Sequence, residues 1–194
     1  MRTVASLSLL LGVCLASAST LQVLTLDDMT AQSSAVVHAH VLAAHADWSS
    51  PKKNSVMTRY TFKADRYLKG NLGSTFELIE PGGTMGMLTT SVPGAPVYQV
   101  GEEIILFVWT VPGTNVYRTI GFEQGAFRVK RDAATGTFTV SHSQPLAGGG
   151  QFVDSEEFKT AARNGGTSRN LSEFLGQVAS SLRRVAASQA GAKQ

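Results

Sequence analysis

A mainly β domain, a small barrel of short strands with short peripheral helices at its N- and C-terminal ends, is the fold class this sequence predicts. Three observations predict it. Apolar residues alternate with polar ones in runs of strand length, glycine and proline clusters punctuate those runs, and helical periodicity shows only near the two ends of the domain. Closing such strands into a barrel would leave no sheet edge exposed.

The chain has 194 residues. Residues 1–18 read as a secretory signal, with Arg2 as the charged start, residues 4–15 as the apolar run and Ala16-Ser17-Ala18 as the small-residue site, so that cleavage follows Ala18. That run is shorter than the roughly 20 apolar residues of a membrane span. The expectation is a bacterial protein exported to the periplasm or secreted, with no transmembrane segment in the mature chain. Its single cysteine, Cys14, lies inside the signal. Cleavage before Cys14 would instead give an envelope lipoprotein, but Val13 is bulky where that processing expects a small residue. Loss of the signal leaves no thiol, and therefore no disulfide, thiolate ligand or cysteine nucleophile. The formal charge is +3, and removal of Arg2 takes it to +2, a balance that steers few partners.

The first element is a helix over 26–33, with Thr25 as cap and Asp27 and Asp28 at the positive end of its dipole. A strand over 35–43 puts Val37, Ala39 and Val41 on one face and His38 and His40 on the other. After a polar turn over 47–55, residues 56–68 alternate again, Tyr60, Phe62 and Ala64 against Arg59, Thr61 and Lys63. A third strand covers 75–80 and ends at Pro81-Gly82-Gly83, followed by a loop over 84–96. Residues 103–111 are β-branched and aromatic, which predicts a central strand buried on both faces. Strands follow over 115–121, 126–131 and 137–141, the last pairing back across a turn at 132–136. Beyond Gly148, Gly149 and Gly150 the pattern becomes helical, over 155–162 and 170–185. In the second helix Asn170 and Glu173 have capping-box spacing, and Leu171, Phe174, Leu175, Val178 and Leu182 form a docking stripe. The organisation expected is thus a signal over 1–18, a barrel domain over 19–146, a helical extension over 147–185 and a frayed tail over 186–194.

The succession Ala35-Val-Val-His-Ala-His-Val41, Tyr60-Thr-Phe-Lys-Ala-Asp-Arg-Tyr-Leu-Lys-Gly70, Pro81-Gly-Gly83, Val100-Gly-Glu-Glu-Ile-Ile-Leu-Phe107 and Gly121-Phe-Glu-Gln-Gly-Ala-Phe-Arg-Val129 resembles a widespread set of uncharacterised exported bacterial domains. Their layout is similar to the OB-like barrel of the netrin and tissue-inhibitor-of-metalloproteinase group. The likeness spans 35–129, in strand pattern and turn residues. It implies an OB-fold and assigns no activity. The animal inhibitors grip a protease metal through an N-terminal cysteine, and this chain offers none once Cys14 is gone.

Candidate chemistry is sparse. His38 and His40 project to one side of their strand and, with His45, are the residues for a metal site, a His-x-His pair in want of a third ligand. There is no Gly-x-Ser-x-Gly elbow and no His-Glu-x-x-His helix. Ser141 and His142 are adjacent on a strand and so face opposite ways, even with Asp154 as a paper partner. Glu102 and Glu103 read as a turn leading into the buried strand. Gly82, Gly83 and Gly86 lack the lysine of a phosphate loop. Lys52, Lys53, Arg59, Lys63, Arg66 and Lys69 make the first ribbon basic, interleaved with Tyr60, Phe62 and Tyr67 as in a single-strand binder. Export and the core-facing parity of those aromatics argue against nucleic acid. Met85, Met87, Leu88 and Val92 give the loop over 84–96 an adaptable apolar surface. The expectation is an exported, non-catalytic module, without a cofactor, that binds a protein or peptide through this loop. The alternatives are a metal binder or metal-dependent enzyme using His38 and His40, and a lipoprotein anchored through Cys14.

Overall fold

The computed structural model describes residues 23–50, 52, 55–142 and 169–191. The signal with Cys14 and Ala18, Lys53, Gly148 to Gly150, the helix expected over 155–162 and Asp154 lie outside the described residues. The elements are α1 (Leu26–Gln32), β1 (Ala35–Trp48), β2 (Val56–Lys69), β3 (Thr75–Pro81), β4 (Gly83–Met85), β5 (Leu88–Thr90), β6 (Glu103–Thr110), β7 (Tyr117–Thr119), a 3-10 turn (Phe122–Gly125), β8 (Ala126–Arg131), β9 (Phe138–His142), β10 (Arg169–Asn170) and α2 (Leu171–Gly191). The fold is mainly β with a helix near each end of the domain.

One antiparallel sheet runs in the order β10-β9-β8-β6-β1-β2-β3, and β7 also pairs with β6. Along one edge of β6, β8 takes residues Glu103 to Leu106 and β7 takes Val108 to Thr110, with the 3-10 turn set between the two short strands. Irregular register between Val36 and Val37, His38 and Ala39, and Val41 and Ala43 bends β1 against β2. The hydrogen-bonded path nonetheless ends at β3, so the sheet is curled and open rather than closed as a barrel. Across the remaining seam the contact is made by a side chain, Glu80 of β3 accepting the Thr119 N–H of β7 at 2.6 Å.

β6 is buried on both faces, as its composition predicts. Ile104, Leu106 and Val108 face the concave core with Val37, Ala39, Val41, Phe62, Phe76, Leu78 and Tyr98. Phe62 stacks on Phe76 with centroids 5.3 Å apart, and Tyr98 meets Phe62 edge-on. Ile105 and Phe107 face a second core with Val36, Met29, Phe127, Phe174 and Val178, roofed by the two helices.

Thr25 and Asp28 cap α1 reciprocally. At its other end the Lys69 ammonium donates to the carbonyls of Thr30 and Ser33, both at 2.6 Å, which suits the negative end of the helix dipole. Burial there lowers the Lys69 pKa. The two helices are tied by Asp27, which accepts from Arg184 through two nitrogens at 3.0 and 2.6 Å and from buried Ser181 at 2.5 Å. The Arg184 bonds, then that of Ser181, hold the Asp27 carboxyl below its ordinary value.

Four boundaries differ from the sequence reading. β1 continues to Trp48 because its largely exposed end, residues 43–47, pairs with β2 throughout. The loop over 84–96 contains the β4–β5 hairpin. The strand expected over 115–121 shrinks to β7, since Gly121 and Phe122 both adopt positive φ and turn the chain. α2 continues past Val185 to Gly191 through alanine-rich residues of high helix propensity.

Candidate functional site

The chain leaves the main sheet at Gly82 and Gly83, and glycine is required at both. Gly82 has φ +95°, and a Cβ on Gly83 would lie 2.2 Å from Thr58 Oγ1 and 3.1 Å from the Ala46 side chain. Thr58 Oγ1 also donates to the Gly82 carbonyl at 2.7 Å, fixing the root of the β4–β5 hairpin against β2. The hairpin turns through Gly86-Met87, with Gly86 at φ +57° in the first central position, as a tight two-residue connection prefers. This projects Met87 wholly into solvent, at 105% of its reference area, with Leu88 beside it at 43%. Met85 and Val92 are partly covered. The four candidate residues therefore divide by exposure, Met87 and Leu88 in solvent and Met85 and Val92 partly covered, with Met85 directly across the hairpin from Leu88.

The histidines meet carboxylates. His38 Nε2 lies 2.7 Å from Glu103 Oε1, and His40 Nδ1 lies 2.6 Å from Asp65 Oδ2. Glu103 Oε2 is 3.8 Å from His40 Nε2, so one carboxylate reaches both rings. His45 is remote from this chain, paired with Arg59 further along the ladder. Among the described residues no group of three or more His, Cys, Asp or Glu side chains is placed to hold a metal ion.

Other candidates are dispersed. Ser141 pairs with Arg128 and His142 with Phe127, and the His142 ring packs on Phe127 with centroids 4.2 Å apart. Glu102 accepts from Arg128 at 2.6 Å and from the Gln99 N–H at 2.8 Å, so it braces the turn while Glu103 serves the histidines. On the basic ribbon Arg59 pairs with Glu77 and Lys69 caps α1. Tyr60 and Phe62 are buried in the core, and the Tyr67 hydroxyl donates to the Gly73 carbonyl. These aromatics do not line the basic face.

A cleft of about 270 Å³ opens beside the seam between β3 and β7, lined by Glu80, Pro81, Trp109, Arg118, Phe122 and Leu24, among others. Glu80 is 2% exposed, and burial raises its pKa from 4.5 to about 7 despite the bond from Thr119. Arg118 stands opposite Trp109 in the ladder, and its Nε is buried without a hydrogen-bond partner among the described residues. Phe122 is the one non-glycine residue with positive φ among those described, at +58°, and the residue is 37% exposed. Leu24 is locked over Gly121, its N–H donating to Gln124 Oε1 at 2.8 Å. The sequence reading missed this cleft. Glu80 shares parity with Phe76 and Leu78, which signalled an inward-facing acid.

No protein-family model, curated protein or solved structure matches this chain. Among the described residues no helix is long and apolar enough to cross a membrane.

Proposed function

We propose that this chain is an exported, non-catalytic binding module that engages a protein or peptide through the β4–β5 hairpin, in the periplasm or outside the cell. The observation that carries this reading is Met87, an unbranched apolar side chain held fully in solvent on a short hairpin whose root is fixed by Gly83 and Thr58. Methionine adapts to varied apolar partners, and a rigid platform lowers the ordering cost of binding. The signal pattern over 1–18 ending at Ala18 and the resemblance to exported bacterial domains support the export part of this reading alone. Processing at Ala18 rather than before Cys14 would leave the module unanchored.

The experiment compares material retained by the parent protein and by a Met87→Asp, Leu88→Asp variant from envelope and culture fluid. A protein or peptide held by the parent and lost by the variant is the expected result. Equal retention, or none by either, would overturn the assignment.

A further inference from the structure

We propose that the cleft between β3 and β7 is a second binding site, taking a small monocarboxylate with an apolar body, its carboxylate on Arg118 and its body against Trp109, Phe122 and Leu24. Arg118 supplies the polarity. Among the described residues that line the cleft it is the one cation, and since its Nε–H is buried too deeply for a ligand to touch, a bound oxygen would meet the terminal nitrogens of the guanidinium. A guanidinium favours a carboxylate over a neutral acceptor because the bond is charge-assisted and fits the planar fork.

Glu80 does not occupy that role. Its Oε1 is committed to the Thr119 N–H across the seam, and no bond joins it to Arg118 Nε. The Arg118 charge lowers the Glu80 pKa, so the two groups do interact, but burial outweighs it and raises the pKa to about 7, which leaves Glu80 mostly neutral below that pH. A cationic ligand would meet Arg118 unfavourably, and a wholly apolar one would cover the guanidinium without giving it a partner.

The rest of the cleft is apolar. Trp109 is the cross-strand neighbour of Arg118, Pro81 borders Glu80, and Leu24 is held in place through Gln124. Phe122 keeps a backbone conformation that L-residues disfavour while the residue stays partly exposed at the mouth, and such strain concentrates at ligand sites. A volume of about 270 Å³ lies just below the roughly 300 Å³ at which pockets for drug-sized ligands begin, and suits a single ring with a short acid arm. Two sources share this chemistry, a free aromatic acid and the C-terminal residue of a peptide.

The test uses the full exported chain, labelled with ¹⁵N, and follows the indole N–H signals of Trp109 and Trp48 during titration with phenylacetate, phenylacetamide and the peptide Gly-Gly-Phe with a free C-terminus. Phenylacetate should shift Trp109 saturably and more than Trp48, while phenylacetamide binds about tenfold more weakly or worse. Arg118→Gln should erase the difference between acid and amide. Tighter binding of Gly-Gly-Phe than of phenylacetate names the peptide terminus as the source, and weaker binding names the free acid. Equal affinity for acid and amide, or no Trp109 shift up to the solubility limit of the acid, overturns the proposal. The acid–amide comparison on the parent decides the matter should the Arg118 variant fail to fold.

Discussion

Glu80 is where burial and charge conflict most sharply in this molecule. Its folded-state pKa of about 7 lies above the ordinary 4.5, so the folded state holds a proton that the unfolded state releases. The stability this contributes is complete below about pH 4.5 and is lost as pH rises to about 7. Glu80→Gln keeps an acceptor for Thr119 N–H but cannot ionise. Thermal melts should therefore show the parent losing stability across that window and the variant staying level; parallel curves would refute the assignment of this titration to Glu80. Gly70 makes a simpler case. It has φ +65°, and an added Cβ would sit 2.3 Å from the Ser34 carbonyl oxygen. Gly70→Ala should cost about 1–3 kcal/mol or more in denaturant unfolding. That a glycine follows the alternating run over 56–68 was legible in the sequence. The state of Glu80 was not, because the Thr119 N–H it meets is brought by a distant strand.

At the scale of elements, the face of α2 that docks was readable before its docking place was. Phe174 and Val178 are buried, and Leu171, Leu175 and Leu182 are packed against the same core. Phe174 also contacts Phe127, with centroids 4.5 Å apart. Phe174→Ala should cost about 3–5 kcal/mol and expose dye-binding apolar surface, measured by chemical denaturation and fluorescence. A loss within experimental error would mean that α2 is not integral to the fold. The bridge from Asp27 to Arg184 and Ser181 lay beyond sequence reasoning, since it joins residues at opposite ends of the domain. The β4–β5 hairpin was hidden for another reason. Each of its strands has three residues, too few for alternation to register.

For the whole molecule, strand pattern and mainly β class were legible because apolar parity is a local property of the chain. Closure was not, because it depends on how far β1 bends and on what fills the seam. Here a carboxylate and a backbone N–H meet where a closed barrel would carry a ladder. Export makes a separate prediction at this scale. Mass spectrometry of the processed protein should find Ser19 at the N-terminus, whereas a lipid-modified Cys14 would establish the anchored alternative.

The most direct test of the binding assignment is site-specific photo-crosslinking in the exporting cell, with benzoyl-phenylalanine placed at Met87 and, as a control, at Arg131, which is exposed at the end of β8. The account predicts a discrete crosslinked protein or peptide at position 87 that is absent at position 131. No adduct at 87, or the same adducts at both positions, would contradict it.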